Sequence, residues 1–202
     1  MALLYDATLS PTKPELLAAW LPVAPYAPAA SAPVEVIGAF RFDDPAGEVG
    51  IETHLVRDAD GTVYQIPLTY RSAPLAGATV IAEMDHSVLG RRYVHDGTTD
   101  PVYVRQLLAA IVDAGHEVDQ YVHVDGGDPR KIPNHVHVSG SGAPGVVVPD
   151  TARLHVEVHG TDTVVDATGT TLVVHHRPLD TAAGPALHGN WPGGSGVLAS
   201  LR

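Results

Sequence analysis

The sequence predicts an α+β protein, with a curved antiparallel sheet carrying two packed helices in its first part and a β-rich second half. Three observations carry that prediction. Phe40 to Arg71 alternates with period two on both sides of Asp58-Ala59-Asp60-Gly61: Val49, Ile51 and Leu55 oppose Glu48, Glu52 and His54, then Tyr64, Ile66, Leu68 and Tyr70 oppose Gln65, Thr69 and Arg71. That pattern is two half-buried antiparallel strands around a tight turn. Two segments carry helix start signals ahead of a 3.6-residue apolar stripe. From Glu117 onward, short Val- and Thr-rich runs are punctuated by Gly-containing turns, which is the signature of sheet.

Taken in order, Leu3-Leu4-Tyr5 within Ala2 to Thr8 reads as a first strand. Thr12 and Glu15 stand in the capping-box relation, Pro14 is tolerated in the first turn, and Leu16, Leu17, Trp20 and Leu21 line one face of the short helix that follows. Trp20 shares that stripe and is expected to anchor the core. Pro22 to Pro33 holds four prolines, so it predicts an extended connector. Pro67 has no N–H and predicts an edge or a bulge in the hairpin's second arm. Ala78 to Glu83 and Ser87 to His95 read as another strand pair, split near Met84-Asp85-His86. Asp100 and Pro101 then open the best helix, with Val104, Leu107, Leu108 and Ile111 on one stripe and Gly115 ending it. In the second half, strands are expected at Tyr121–Asp125, Asn134–Ser139, Gly145–Val148, Arg153–His159, Thr163–Asp166 and Thr171–Arg177, with turns at Gly126-Gly127, Ser139 to Gly145, Gly160 and Thr168-Gly169. The expected division is 1–116 and 117–202, the second piece being either a separate β-rich extension or a continuation of the first sheet.

Composition narrows the function classes. The formal charge is −11, which argues against nucleic-acid and anionic-membrane partners, since both need a basic footprint. There is no cysteine, so thiol catalysis and Cys-based zinc sites are excluded. No apolar run approaches the roughly 20 residues needed to span a bilayer, and the expectation is a soluble cytoplasmic protein.

The runs RFDDPAGEVGIETHLV, PLTYR, APLAGA, HSVLGRRYVHDG and DPVY, spread over residues 41–103 in that order, resemble the N-terminal cap domain of bacterial maltokinases. The resemblance covers roughly residues 1–116. It implies a cystatin-like fold, a setting in maltose, trehalose and α-glucan metabolism, and a sugar kinase or α-glucan enzyme as partner. It places the family's chemistry outside the cap. Leu187-His188-Gly189-Asn190-Trp191-Pro192 and Gly196 to Leu201 likewise resemble the ending of stand-alone cap-like proteins.

Phosphoryl transfer needs a cation on the phosphates, Mg²⁺ ligands and a base. Maltokinases resemble aminoglycoside phosphotransferases with an HGD-type loop, and His188-Gly189-Asn190 is the near match, with Asn where the base should be. Gly193-Gly194-Ser195-Gly196 lacks the Lys of a phosphate loop and reads as a turn. No complete kinase site is present, and no cofactor is expected.

Two further constellations remain. His135 with His137, and His155 with Glu157 and His159, repeat at i, i+2, which puts each set on one strand face where a neighbouring strand could complete a metal site; His123 alternates likewise with Tyr121 and Asp125. The competing reading is a one-sided sheet, with Val136, Val138, Leu154, Val156 and Val158 inward and the imidazoles in water. In the first part, Asp43, Asp44, Glu48, Glu52, Arg71, Arg91 and Arg92 form an acid–base set. Glu48 and Glu52 would stand about 13 Å apart on a strand, beyond the roughly 5–10 Å of a glycosidase pair, so surface salt bridges are expected. Arg71, His86, Arg91 and Arg92 are expected to shape an interaction surface. The favoured function is a non-catalytic binding or regulatory module lacking kinase lobes; the alternatives are a metalloprotein or enzyme using the His-bearing sheet of 119–177, and a small-ligand (sugar) binder.

Overall fold

The computed structural model describes residues 2–5, 7–123 and 128–202. In chain order the elements are β1 (Ala2–Tyr5), β2 (Leu9–Ser10), α1 (Lys13–Trp20), β3 (Glu35–Phe42), β4 (Gly50–Arg57), β5 (Val63–Arg71), β6 (Val80–His86), β7 (Gly90–Asp96), α2 (Pro101–Val112), β8 (Gln120–His123), β9 (Arg130–Ile132), β10 (His137–Gly140), β11 (His155–His159), β12 (Asp162–Ala167), β13 (Thr170–Leu179), β14 (Ala186–Trp191) and β15 (Gly194–Leu201). The fold is α+β. Two six-stranded sheets run in the orders β2-β6-β7-β5-β4-β3 and β10-β14-β15-β13-β12-β11, and a three-stranded sheet joins β1, β8 and β9. The Asp125 end of the strand expected at Tyr121–Asp125, and the Gly126-Gly127 turn, lie outside the described residues.

Local signals set both helices. The Thr12 side chain accepts from the Glu15 N–H while the Glu15 carboxylate accepts from the Thr12 N–H, closing the capping box of α1. Asp100 caps α2 by accepting from the Val102 N–H at 3.0 Å. The left-handed residue after α2 is Ala114, with φ 52°, and not Gly115, whose N–H instead returns to the Ala110 carbonyl at 2.9 Å. Gly140 is needed for a different reason. A Cβ there would lie 1.8 Å from the Ala110 carbonyl oxygen, so only glycine lets α2 lie this close to β10.

The expected hairpin is β4 and β5, with Ile51 and Leu55 on one face and Glu52 and His54 on the other. Two features depart from expectation. A third strand, β3, pairs along β4, opposing Arg41 to Glu52 and Phe42 to Ile51. More consequentially, the hairpin is covered on both faces. The first face holds Val56, Tyr64, Ile66, Leu68, Met84 and Val94 against Leu16, Leu17 and Leu21 of the α1 segment and Tyr26 of the connector. The second face holds Phe40, Ile51 and Leu55 against Tyr103, Leu107 and Ile111 of α2 and against Leu172, Val174 and Leu198 of the second sheet. Residues from before and after position 117 thus share one core. Pro67 lies in an interior strand, at the point where the ladder to β7, which spans Leu68 to Arg71, ends.

The β6–β7 turn falls at Ser87 to Leu89, later than expected, because Met84 is buried on the first face and keeps β6 extended to His86. Gly145–Val148 is a loop and not a strand: Gly145 takes φ 83° and Val147 is 83% exposed. No described helix is long and apolar enough to cross a membrane.

Candidate functional site

Alternation along β4 puts Glu52 and His54 side by side on the face that α1 covers, and the β3 register sets Arg41 directly across from Glu52. The capping box fixes the start of α1, so Lys13 in its first turn reaches down onto the same carboxylate. Lys13 Nζ stands 2.7 Å from Glu52 Oε2 and donates to Oε1 at 2.9 Å. Arg41 reaches Oε1 through Nε at 3.2 Å and Nη2 at 3.0 Å. The Tyr70 hydroxyl donates to Oε2 at 3.0 Å, and His54 Nε2 lies 3.1 Å from the same oxygen. Glu52 is 4% exposed. Burial alone would raise its pKa, but Arg41, His54 and Lys13 outweigh that and hold the carboxyl well below its ordinary range. Burial lowers the Lys13 pKa, against the pull of Glu52 and with a further push from Arg41. Burial and the Glu52 charge raise that of Tyr70.

This ionic centre opens into a cleft of about 770 Å³, lined among others by Lys13, Arg41, Asp43, Asp44, Glu48, Tyr70, Met84 and Arg92. That volume lies within the usual range for small-molecule sites. The Asp44 carboxylate is already engaged: it accepts the N–H groups of Ala46, Glu48 and Val49, each at 3.0 Å, and so holds the β3–β4 turn.

The four residues expected to shape an interaction surface divide between the two faces. His86 and Arg92 stand on the cleft side. His86 Nδ1 accepts from the N–H groups of Val88 and Leu89 and holds the β6–β7 turn, and its pKa is lowered by burial and by Arg92 and Lys13. Arg92 Nη2 donates to the Leu89 carbonyl, and its buried Nε has no partner. Arg71 and Arg91 point the other way. Arg71 makes a bidentate pair with Asp100, both contacts 2.7 Å, and Thr69 donates to the same carboxylate. Arg91 pairs on the surface with Glu83 and Asp85. The acid–base set is therefore not uniformly a surface one. Glu48 is exposed in the turn before β4, whereas Glu52 is sealed beneath α1.

His135 and His137 lie at and just before β10, and His155, Glu157 and His159 on β11, which are opposite edges of the second six-stranded sheet. His137 Nδ1 is 2.7 Å from Glu117, and Glu157 stands 3.1 and 3.0 Å from His155 and His159. These imidazoles are exposed; Val136 and Val138 are buried as a one-sided strand requires, whereas at β11 Leu154, just before the strand, and Val156 are half-buried and Val158 is itself exposed. Among the described residues, no three His, Cys, Asp or Glu side chains are grouped to hold a metal ion. His188-Gly189-Asn190 is the middle of strand β14, and Gly193, with φ 85°, turns that strand into β15.

Sequence reasoning missed a second buried polar cluster, where β5 meets β13. Gln65 Nε2 donates to the carbonyls of His175 and Leu198. His176 lies between Thr163 Oγ1 at 2.8 Å and the Gln65 carbonyl at 3.1 Å, with the Tyr26 ring stacked on it at 3.4 Å. His175 bridges Asp162 and Ser200, each at 3.0 Å. A carbonyl only accepts, so His176 carries its proton on Nδ1 and its Nε2 accepts from Thr163. Burial drives its pKa down to about 3. The available signal was the run Leu172-Val173-Val174-His175-His176, too apolar for a strand with one wet face.

Residues 20–100 match the model of the maltokinase N-terminal cap domain. Among curated proteins, nothing matches the chain.

Proposed function

We propose, from the premise that residues 20–100 are a maltokinase N-terminal cap domain, that this chain is a non-catalytic binding or regulatory module of maltose, trehalose and α-glucan metabolism, with a sugar kinase or α-glucan enzyme as its cytoplasmic partner. The observation that carries the reading is the cleft. It brings Lys13, Arg41, Asp43, Asp44, Glu48 and Arg92 together, and its walls come from β3, β4, β5, β6 and β7 of the matched segment together with α1. The six-stranded sheet with α1 and α2 against its two faces also supports the cystatin-like arrangement that the resemblance implies.

The Glu52 centre has a carboxylate and proton donors but is described better as a binding wall than as a catalytic pair. Its only carboxylate accepts from Lys13, Arg41 and Tyr70 at once, and a base so engaged has no lone pair in a position to take a proton from a substrate. The test uses the tagged full chain as bait in its native lysate, followed by a melting-temperature screen against maltose, trehalose and ATP. Capture of a sugar kinase or α-glucan enzyme, or a melting shift with one of those ligands, supports the reading. The absence of both rejects it.

A further inference from the structure

The cleft holds more hydrogen-bond donors than the protein satisfies, and all of them are cationic. An ammonium has three N–H groups and a guanidinium five. Lys13 gives two to Glu52, Arg41 gives one from Nε and one from Nη2 to the same carboxylate, and Arg92 gives one to the Leu89 carbonyl. The third Lys13 N–H, both Nη1 hydrogens of Arg41, and the Nε and Nη1 hydrogens of Arg92 have no acceptor among the described residues, and the Arg92 Nε is buried without one. Glu52 cannot serve them, because it already accepts from Lys13, Arg41 and Tyr70. Asp44 cannot, because its oxygens hold three backbone N–H groups. Lys13, Arg41 and Arg92 line one cleft together with Asp43, Asp44 and Glu48, and Glu52 is the carboxylate that Lys13 and Arg41 both contact. The depression of His86 by Arg92 and Lys13, after burial, and of Lys13 by Arg41 is the same crowding felt by its neighbours.

We infer that the cleft binds a small organic oxyanion, a phosphate monoester or a carboxylate, seated on the spare N–H groups of Lys13, Arg41 and Arg92 against the Tyr70 ring. An oxyanion supplies two or three charged acceptor oxygens to those spare N–H groups, in the planar fork geometry that guanidinium recognises. Tyr70 has its ring beneath the Lys13 ammonium, 5.7 Å from ring centroid to Nζ, and so keeps that cation directed into the cleft. The buried Glu52 holds Lys13 and Arg41 in place before a ligand arrives, which reduces the ordering cost of binding. This inference rests on the reading of the chain as a binding module and names the ligand chemistry of its cleft.

The full chain is titrated by calorimetry with inorganic phosphate, glycerol 3-phosphate and citrate, and with maltose as the neutral control. At least one oxyanion is expected to bind, and Arg92→Gln to weaken it about tenfold or more, the loss of one charge-assisted contact. Arg92→Lys, which keeps the charge, is expected to retain most of the affinity. Arg91→Gln, on the other face of the same strand, is expected to leave it unchanged. Phosphate and glycerol 3-phosphate binding without citrate assigns a phosphoryl ligand; the reverse assigns a carboxylate. Unchanged affinity in Arg92→Gln overturns the inference, as does the absence of any oxyanion binding. Maltose binding with no oxyanion binding overturns it too, while leaving the module reading intact. Should Arg92→Gln fail to fold, the salt dependence decides: affinity that falls steeply with added potassium chloride supports the site, and salt-independent affinity overturns it.

Discussion

Two buried polar clusters flank the same strand pair, and they are built on opposite principles. The one around Glu52 is ionic, lies under α1 and opens through Lys13, whose side chain is 28% exposed, into a cleft. The one around His176 lies between β5 and β13; Gln65 and His176 bond only to buried groups, and its one carboxylate, Asp162, is half-buried at the cluster's edge beside His175. Burying charge is expensive and repaid only by pairing, whereas a neutral cluster with each lone pair and proton matched rigidifies what it joins. The difference teaches how to read each. The His176 cluster is a weld between the first six-stranded sheet and the second. The ionic one has unused donors and an opening, the properties of a site.

The contrast is broken most forcefully at Glu52. Glu52→Gln removes the buried counter-charge that Lys13 and Arg41 both contact and is expected to destabilise the protein by about 3–5 kcal/mol, measured by urea unfolding at neutral pH. A loss under about 1 kcal/mol, the size seen for exposed pairs, would mean that both cations relax into water through the cleft. The ionic centre would then be a surface feature, and the distinction between the two clusters would disappear.

Gln65→Ala tests the weld and ranks second. It leaves the carbonyls of His175 and Leu198 without a donor in a dry junction, at an expected cost of about 2–3 kcal/mol. Because those bonds join the two sheets, the junction is also expected to open early, so amide exchange should rise in β13 and β15 well before it rises in α1. Uniform exchange across the chain would show that the shared apolar core, and not the polar weld, holds the halves together.

Why the sequence displayed the scaffold better than either cluster follows from particular residues. Thr12 with Glu15, and Asp100 with Pro101, are local signals acting within four residues, and both helices begin where those signals stand. The β4–β5 alternation was equally local. What alternation does not encode is how many faces are covered: Glu48, Glu52 and His54 read alike along the strand, yet Glu48 is exposed and Glu52 and His54 are buried. The covering depends on α1 crossing back over β4, a contact between residues 39 apart in the chain. The motifs behind the family resemblance were legible because they are contiguous; the match to residues 20–100 spans most of those runs. The His176 weld joins positions 111 apart and has no local signature beyond its apolar run.

Acid separates the clusters by where each begins to fail. The folded His176 pKa of about 3 lies below the ordinary value of 6.5, so between those limits the unfolded chain takes up a proton that the folded chain refuses. Stability is therefore complete above about pH 6.5 and falls with pH by about 1.4 kcal/mol per unit until the folded pKa is reached. Glu52 has the opposite arrangement of charge and a later onset. Its carboxyl is held low in the fold, so its contribution is present above the unfolded value of about 4.3 and is lost as pH falls through the folded one. From about pH 6.5 to 4.5 the weld weakens alone of the two, although the lowered His86 and His95 add slope of the same sign. Comparing His176→Gln with the parent isolates the difference: the variant is expected to lose about 1.4 kcal/mol per pH unit of slope in that window and to keep the steepening below pH 4.3. If urea midpoints of parent and variant run parallel from pH 6.5 to 4.5, His176 takes its proton at the same pH folded and unfolded, and the junction is wet rather than sealed.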